Sequence, residues 1–455
     1  MSRFLMATLP IGGHVTAGMV IARQLVRRGH EVGWYTGQRF QSKIEAAGIR
    51  FFPIQASLDY DDRNPNAFFT GREGLTGLKE MKYMLKHMFA DAAPGQVVDI
   101  EEILKDFPAD VLVADPLLYG GGWQHERGGP VWAGFGHIPL TITSRDTAPF
   151  GLGLLPDASP LGRLRNHFLA WTGKKMALRN VINHIDKQRT SLGLRAQHKD
   201  PGAVTLSPYL FLQGTAPAFE YPRSDLPSQV HFVGPFLPSA PAEFTPPGWW
   251  PELVEKKYPV VHVTQGTMET DPAELILPTI QALAGEKVLV VATTGGVPLE
   301  SLNLPPLPAN VRVEAFISHH HLLRYTDVMV TNGGYNGVSI ALANGVPLVV
   351  NGHVADKPEV GRRVEWAGVG INLRDQKPNP AQIRQAVRQI LDEPGYRQKA
   401  RQMQYHFAHY NAGSQAAILL EQLAITQRPV TIGSKVEASK TVPSWFRDTE
   451  LAGAC

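Results

Sequence analysis

Asp327-Val328-Met329-Val330-Thr331-Asn332-Gly333-Gly334-Tyr335-Asn336-Gly337-Val338 reads as an apolar strand that ends in a glycine turn and then opens a helix. Glycines at such a turn let backbone N–H groups approach an anion closely, and the helix N-terminus adds a favourable dipole. A diphosphate is the expected guest. The same pattern would also serve a turn needed only for tight packing. Val263-Thr264-Gln265-Gly266-Thr267 repeats the design after another apolar run, with a hydroxyl available to a phosphate oxygen.

Outward from this unit, short apolar runs alternate with helical periodicity, the pattern of a parallel sheet covered by helices. In the second half the strands are Val260 to Thr264, Val288 to Ala292, Asp327 to Thr331 and Leu348 to Asn351, with helices over Asp271 to Ala284 and from Ala381 and Tyr396. In the first half, Phe4 to Leu9 is a strand, Gly12-Gly13 its turn, and Thr16 to Arg28 a helix ended by Gly29. Strands follow at Val32 to Thr36, Ile49 to Ile54, Val111 to Ala114 and Val131 to Ala133. A helix covers Gln38 to Ala47, a long helical region runs from Leu161 to Leu192, and Pro208 to Val233 supplies further strands. Between the halves, Pro235, Pro238, Pro241, Pro246, Pro247 and Pro251 resist regular structure and mark a linker. The expected organisation is an α/β fold of two doubly wound Rossmann-like domains facing a cleft. These are 1–235 and 259–405, with a linker at 236–258, a helix at 406–427 that returns to the first domain, and a flexible tail at 428–455. A length of 455 residues suits two domains.

Ligands of such folds sit at the carboxyl ends of the strands. Gly12-Gly13-His14-Val15 puts an imidazole there, and a histidine titrating near neutrality suits a general base that takes a proton from an attacking alcohol. Val113-Ala114-Asp115-Pro116 puts a carboxylate on the same rim, where it would orient that imidazole. A turn histidine bonding the backbone and a helix-capping aspartate give the same patterns. Three other motifs are set aside. His319-His320-His321 points in different directions and lacks a zinc-type ligand set. Asp59-Tyr60-Asp61 has the D-x-D form of metal-dependent sugar transferases but lies in a polar run, read as a solvated loop. Met81, Met84 and Met88 with Tyr83 and Phe89 have the spacing of a helical core face, or of an apolar pocket wall.

The net charge is +3, with 43% hydrophobic and 19% charged residues, and the basic residues are dispersed, which argues against a nucleic-acid partner. The single cysteine, Cys455, excludes an internal disulfide. No stretch has the length of a membrane span and no signal peptide is read, so a cytoplasmic protein without integral membrane association is expected. Length and charge leave the oligomeric state open.

Up to about Gln427 the chain resembles the family 1 glycosyltransferases of the GT-B fold, especially their bacterial macrolide-type group. The resemblance is carried by Phe316-Ile317-Ser318-His319, Val330 to Gly337, Gly345-Val346-Pro347-Leu348 and Ala355-Asp356-Lys357-Pro358-Glu359. It implies an inverting, metal-independent transfer of a sugar from a UDP- or dTDP-sugar, a co-substrate rather than a cofactor, to a hydroxyl of a small apolar acceptor such as a polyketide or flavonoid. It makes His14 the base and Asp115 its partner. It assigns Phe316 and His319 to the nucleoside, Thr267 and Asn332-Gly333-Gly334-Tyr335-Asn336-Gly337 to the diphosphate, and Asp356 and Lys357 to sugar hydroxyls, with Gly13 and Gly266 also among the donor-binding residues.

The chain departs from the family pattern at several positions. Phe316 replaces a tryptophan, Asn332 a histidine and Ala17 a proline, while Lys357 stands where glucose users often carry glutamine. Ile340 stands where plant members place a ribose-binding glutamate, which opens the site to a thymidine donor. The acceptor is expected among Phe68, Phe69, Met81, Met84, Met88, Leu118, Phe150, Leu154 and Trp171. Two alternatives are a nucleotide-sugar epimerase of the same fold and a catalytically silent homologue that activates a partner transferase. The epimerase would need acid and base groups about the sugar, and the silent homologue would commonly lack the base.

Overall fold

The structure is a computed structural model that describes residues 1–64, 67–241, 243–266, 271–301, 306–375 and 377–433. Seven parallel strands form the first sheet: β1 (Arg3–Ala7), β2 (Glu31–Thr36), β3 (Arg50–Pro53), β4 (Val111–Ala114), β5 (Val131–Gly136), β6 (Leu210–Gln213) and β7 (Val230–Phe232), in the order β3-β2-β1-β4-β5-β6-β7. Six more form the second: β8 (Val260–Thr264), β9 (Leu289–Thr293), β10 (Val311–Glu314), β11 (Val328–Thr331), β12 (Leu348–Val350) and β13 (Gly370–Asn372), in the order β10-β9-β8-β11-β12-β13. Both orders reverse beside the first strand of the sheet, between β1 and β4 and between β8 and β11. Crevices open at such reversals, beyond the strands' carboxyl ends. In register, Ala7 lies beside Ala114 and Thr264 beside Thr331, so the segments after each pair emerge side by side.

The central strands are buried on both faces, as helix-covered parallel strands must be. The helix Ala412–Thr426 runs back to the first sheet, where Ala416, Ala417, Leu420 and Leu423 join the core built by Val15, Met19 and Ala22 of the first helix. Burying each such leucine stabilises the chain by about 1.5–3 kcal/mol. Gly413 makes the crossing close, since a Cβ there would stand 2.8 Å from the carbonyl oxygen of Val20. Glu421, buried beneath the crossing, accepts from Arg28 Nε at 2.6 Å and lies 2.8 Å from His30 Nε2.

Several sequence expectations change. The first helix begins at Gly12, not after a turn. The proline-rich linker contains a helix, Trp250–Glu255, because Pro251 sits in its first turn, where a missing N–H costs nothing, and Leu253 is fully buried. The segment Gln38 to Ala47 is a short 3-10 turn followed by a helix of five residues. Leu161 to Leu192 is two helices, Pro160–Thr172 and Arg179–Ser191, joined by a π turn. The tail starts fixed, with Val430 buried and its N–H donating to the Tyr209 carbonyl; residues 434–455 lie outside the described part. Among the described residues no helix is long and apolar enough to cross a membrane.

Candidate functional site

Ile11, extended at the end of the β1 loop, hands the chain to the first helix at Gly12. The Gly12 N–H, one of the donors a helix start leaves unpaired, is taken by Asp62 Oδ2 at 2.8 Å. His14 therefore stands in the first helical turn. Asp62 corrects the reading of residues 59–64 as a solvated loop. Tyr60 and Asp62 are buried, Tyr60 edge-on to Phe69 at 4.9 Å, and Asp59 accepts from the Gln38 N–H at 2.8 Å. These carboxylates serve the chain itself.

Asp115, fully buried just after β4, is surrounded by donors. Its Oδ2 accepts from the Leu9 N–H at 2.7 Å and meets His14 Nδ1 at 3.0 Å; its Oδ1 accepts from the N–H groups of Leu117 (2.7 Å) and Leu118 (3.1 Å). Burial pushes this carboxyl up, but the adjacent imidazoles and backbone donors outweigh it and hold it below the usual aspartate value. An ionised carboxylate only accepts, so His14 Nδ1 carries the proton and Nε2 is left with its lone pair. A third residue, His137 just beyond β5, packs its ring 4.1 Å from that of His14. Burial holds His137 well below the ordinary histidine value, and neither of its ring nitrogens has a hydrogen-bond partner among the described residues. It presents a neutral wall to the His14 ring. Nothing in its local sequence, Gly136-His137-Ile138, marks that role.

Across the cleft, the loop after β11 and the loop after β8 converge. The Asn332 side-chain amide donates to the Gln265 carbonyl. Gly266 and Gly333 both have positive φ, +74° and +81°, a conformation that side chains with a Cβ rarely adopt. Gly334 precedes the helix Tyr335–Ala343, whose start has no side-chain cap, so its first N–H groups remain available to an anion. Tyr335 contributes backbone only, because its ring is buried against Phe219 at 6.2 Å. Thr267 lies outside the described residues.

Phe316 is 71% exposed at the lip of the second sheet. His319 pairs with His262, Nε2 to Nε2 at 3.3 Å, and burial takes His319 down to about 4 and His262 to about 3, so both rings are neutral. His321 stacks on Phe244 at 4.0 Å, which separates it from His319 and accounts for the run without a metal.

The two halves meet at this point. The Asn336 side-chain amide donates to the Gly13 carbonyl at 3.2 Å, one residue from His14. Desolvation at the start of the next helix raises the Asp356 carboxyl above its usual value. The next helix, Lys357–Trp366, carries a contact absent from the sequence reading. Glu359 Oε1 accepts from the N–H groups of Gly151 (2.9 Å) and Gly153 (2.8 Å), while Arg362 Nε donates to the Gly153 carbonyl at 2.6 Å. The Gly151 segment touches Met81, whose sulfur would stand 3.4 Å from a Cβ at Gly151. Glu359 thus ties the proposed acceptor wall to the helix that begins with Lys357. Glu359→Ala is expected to raise the acceptor KM about tenfold, the loss of one to two charge-assisted bonds, with the nucleoside diphosphate Kd nearly unchanged; steady-state kinetics and calorimetry read the split.

The other acceptor candidates do not form one surface. Leu118 is core, packed with Leu5, Ala7 and Tyr35, and Met88 is core with Phe89, so neither side chain faces the cleft. Their apolar character follows from folding alone. Met84 is partly buried against the same cluster as Met88. Phe68 is 41% exposed, and Trp171 is 53% exposed and stacked on Phe168 along the outer face of Pro160–Thr172. Phe150 and Leu154 are half-buried and flank the glycines held by Glu359, and Phe69 is buried.

The family described as erythromycin biosynthesis protein CIII-like, C-terminal domain, matches residues 276–418. The chain is 47% identical to the 4'-demethylrebeccamycin synthase of Lentzea aerocolonigenes, over 93% of this chain and 99% of that protein. It is 34% identical to UDP-glycosyltransferase 2 of Phaeomoniella chlamydospora, over 92% and 95%. Among solved structures, the calicheamicin glycosyltransferase CalG4 superposes with a TM-score of 0.72 at 21% identity, over 94% of this chain and 100% of that one, so the fold is shared.

Proposed function

The chain belongs to the macrolide-type glycosyltransferases of the GT-B fold, and from that premise we propose that it is an inverting, metal-independent enzyme that transfers a sugar from a uridine or thymidine diphosphate donor to a hydroxyl of a small apolar natural product. The observation that carries this reading is the buried His14–Asp115 pair beside Gly13, whose carbonyl is held by Asn336 of the glycine loop. His14 Nε2 takes the acceptor's hydroxyl proton as that oxygen bonds to the anomeric carbon. The bond from that carbon to the diphosphate oxygen breaks, and an α-linked donor gives a β-linked product.

Charge developing on the leaving diphosphate is met by the uncapped N–H groups of Tyr335 to Gly337 and the dipole of the helix Tyr335–Ala343, donors oriented before the reaction begins. No step calls for a metal ion, since these donors face the charge as it forms. The uridine option draws on the names of relatives such as UDP-glycosyltransferase 2, and the thymidine option on Ile340, which offers nothing polar to a ribose 2′-hydroxyl. The acceptor class draws on the apolar residues Phe68, Met81, Phe150 and Leu154 and on the 4'-demethylrebeccamycin synthase relative. An epimerase would need acid and base groups about the sugar, and a silent activator would have no use for the intact His14–Asp115 pair.

Mass spectrometry of products from a matrix of nucleotide sugars and polyketide or phenolic acceptors tests the activity, and the anomeric proton coupling tests inversion. Retention at the anomeric carbon, or the absence of any glycosylated product, would sink the proposal. Turnover is expected to persist after exhaustive treatment with EDTA. Asn332→Ala frees the Gln265 carbonyl and loosens the two loops, so the nucleoside diphosphate Kd is expected to weaken about tenfold, the value of one good hydrogen bond, with little change in acceptor KM. An unchanged Kd by titration calorimetry would place the diphosphate elsewhere.

A further inference from the structure

We propose that His87, Asp91 and His184 form a binding site for a divalent transition-metal ion of the zinc class, which clips two helices of the first domain together. His87 lies in the π-helical stretch Met84–Ala90, Asp91 directly follows it, and His184 is on the helix Arg179–Ser191. One ligand atom from each lies within 4.8 Å of the other two. His87 Nδ1 is 2.8 Å from Asp91 Oδ2, His184 Nε2 is 2.5 Å from Asp91 Oδ1, and Gln188 Nε2 donates to the same Oδ1 at 2.6 Å.

Two imidazoles and one carboxylate are a donor set that selects zinc, nickel, cobalt or copper over magnesium or calcium, which prefer oxygen ligands alone. Ligand atoms about 2.1 Å from a tetrahedral ion stand about 3.4 Å from one another. The present cluster spans that spacing, so small side-chain rotations would seat an ion, with water in the fourth position. Gln188 would hold the carboxylate in place from outside. The side chains of His87, Asp91 and His184 are 42%, 36% and 22% exposed, which gives an ion a path from solvent.

The location gives such a clip a consequence. The π turn is a high-energy backbone form that recurs at functional sites. Met84 and Met88 of that stretch pack in the same cluster as Val181 and Ile185, the residues flanking His184. Ninety-three positions of chain separate Asp91 from His184, so a metal bridge would close a long loop and oppose opening of the wall beside the proposed acceptor segment. The cluster shares no hydrogen bond or ion pair with His14, Asp115 or the glycine loop among the described residues, so it stands apart from the chemistry assigned to them.

The test is zinc titration of chelator-stripped full-length protein by calorimetry, with metal content and melting temperature read in parallel. One equivalent bound at micromolar or tighter Kd is expected, with a rise in melting temperature. Both should be lost in His87→Ala and in His184→Gln, whose amide retains a hydrogen bond to Asp91 but offers no imidazole. A His320→Ala/His321→Ala variant removes two neighbouring histidines outside the cluster and should bind as the parent does. Binding unaltered in both His87→Ala and His184→Gln, or no binding by the parent beyond that of a variant lacking both histidines, would overturn the proposal. So would loss of the equivalent in the His320→Ala/His321→Ala variant alone. Because the readouts are stoichiometry and melting temperature, they stand whether or not the transferase reading holds.

Discussion

His14→Ala is expected to lower kcat by ~10²–10⁴-fold, the usual contribution of a positioned general base, while leaving nucleoside diphosphate affinity within about twofold, less than half a kcal/mol. His14 Nδ1 is committed to Asp115, which four donors surround, so Nε2 is the nitrogen left to take a proton. The diphosphate, by contrast, is assigned to backbone groups of the opposite domain, which the substitution does not touch. Asp115→Asn replaces one of the two accepting oxygens with a donor NH2, so the carboxylate that fixes the tautomer is lost, and it should lose a comparable factor. The two changes together should cost no more than His14→Ala alone, because a base and the group that orients it act as one unit. His137→Phe keeps an apolar ring against His14 and should change kcat by less than tenfold, roughly within 1.4 kcal/mol. Single-turnover rates with saturating donor check all four. Unaltered kcat in His14→Ala would remove the base assignment.

Which parts of this were legible in the sequence follows from the range of the interactions. Strand, glycine and helix in series are local, so the turns at Gly266 and Gly333 and the two wound sheets could be read directly, and the carboxyl ends of the strands pointed to His14 and Asp115. Strands β10 and β13 left weak signals, being four and three residues long with partly exposed faces. The helix at Trp250 was hidden because its prolines read as breakers, although one of them occupies the first turn, where proline is at home. Glu359 is the instructive case. It is part of the stretch that carries the family resemblance, yet its partners Gly151 and Gly153 are more than two hundred residues away. Asp62, fifty residues from Gly12, was masked in the same way by a polar neighbourhood that suggests solvent. Leu118 and Met88 show the converse: an apolar residue near a cleft carries the same signal as one in the core behind it.

The same helix that bears Glu359 holds the interaction with the largest expected effect on stability. Arg363, 1% exposed, donates through Nε and Nη2 to Glu220 Oε1 at 3.0 and 2.5 Å and through Nη1 to Glu359 Oε2 at 3.1 Å, with its guanidinium 4.1 Å above the Tyr221 ring. Glu220 is fully buried and also accepts from Arg223 and from the N–H of Leu140. Burial would raise its carboxyl, but Arg363 and Arg223 outweigh that and hold it below 4.5. Arg363→Met leaves this carboxylate in the interior with one cation fewer, and should cost about 3–5 kcal/mol, the range for breaking a buried pair from one side.

The pH dependence separates the ion pair from simple packing. In the parent, Glu220 titrates lower when folded than when unfolded, so its contribution is complete above pH 4.5 and fades as the pH falls through the folded value. In Arg363→Met the under-compensated carboxyl titrates higher, and taking up a proton relieves the cost. The stability gap between parent and variant should therefore narrow from pH 7 towards pH 4, and Glu220→Gln placed on the Arg363→Met background should recover part of it. Denaturant melts at the two pH values measure this directly. A gap of equal size at both would assign the loss to the stacking on Tyr221 and the filled volume, not to the charge.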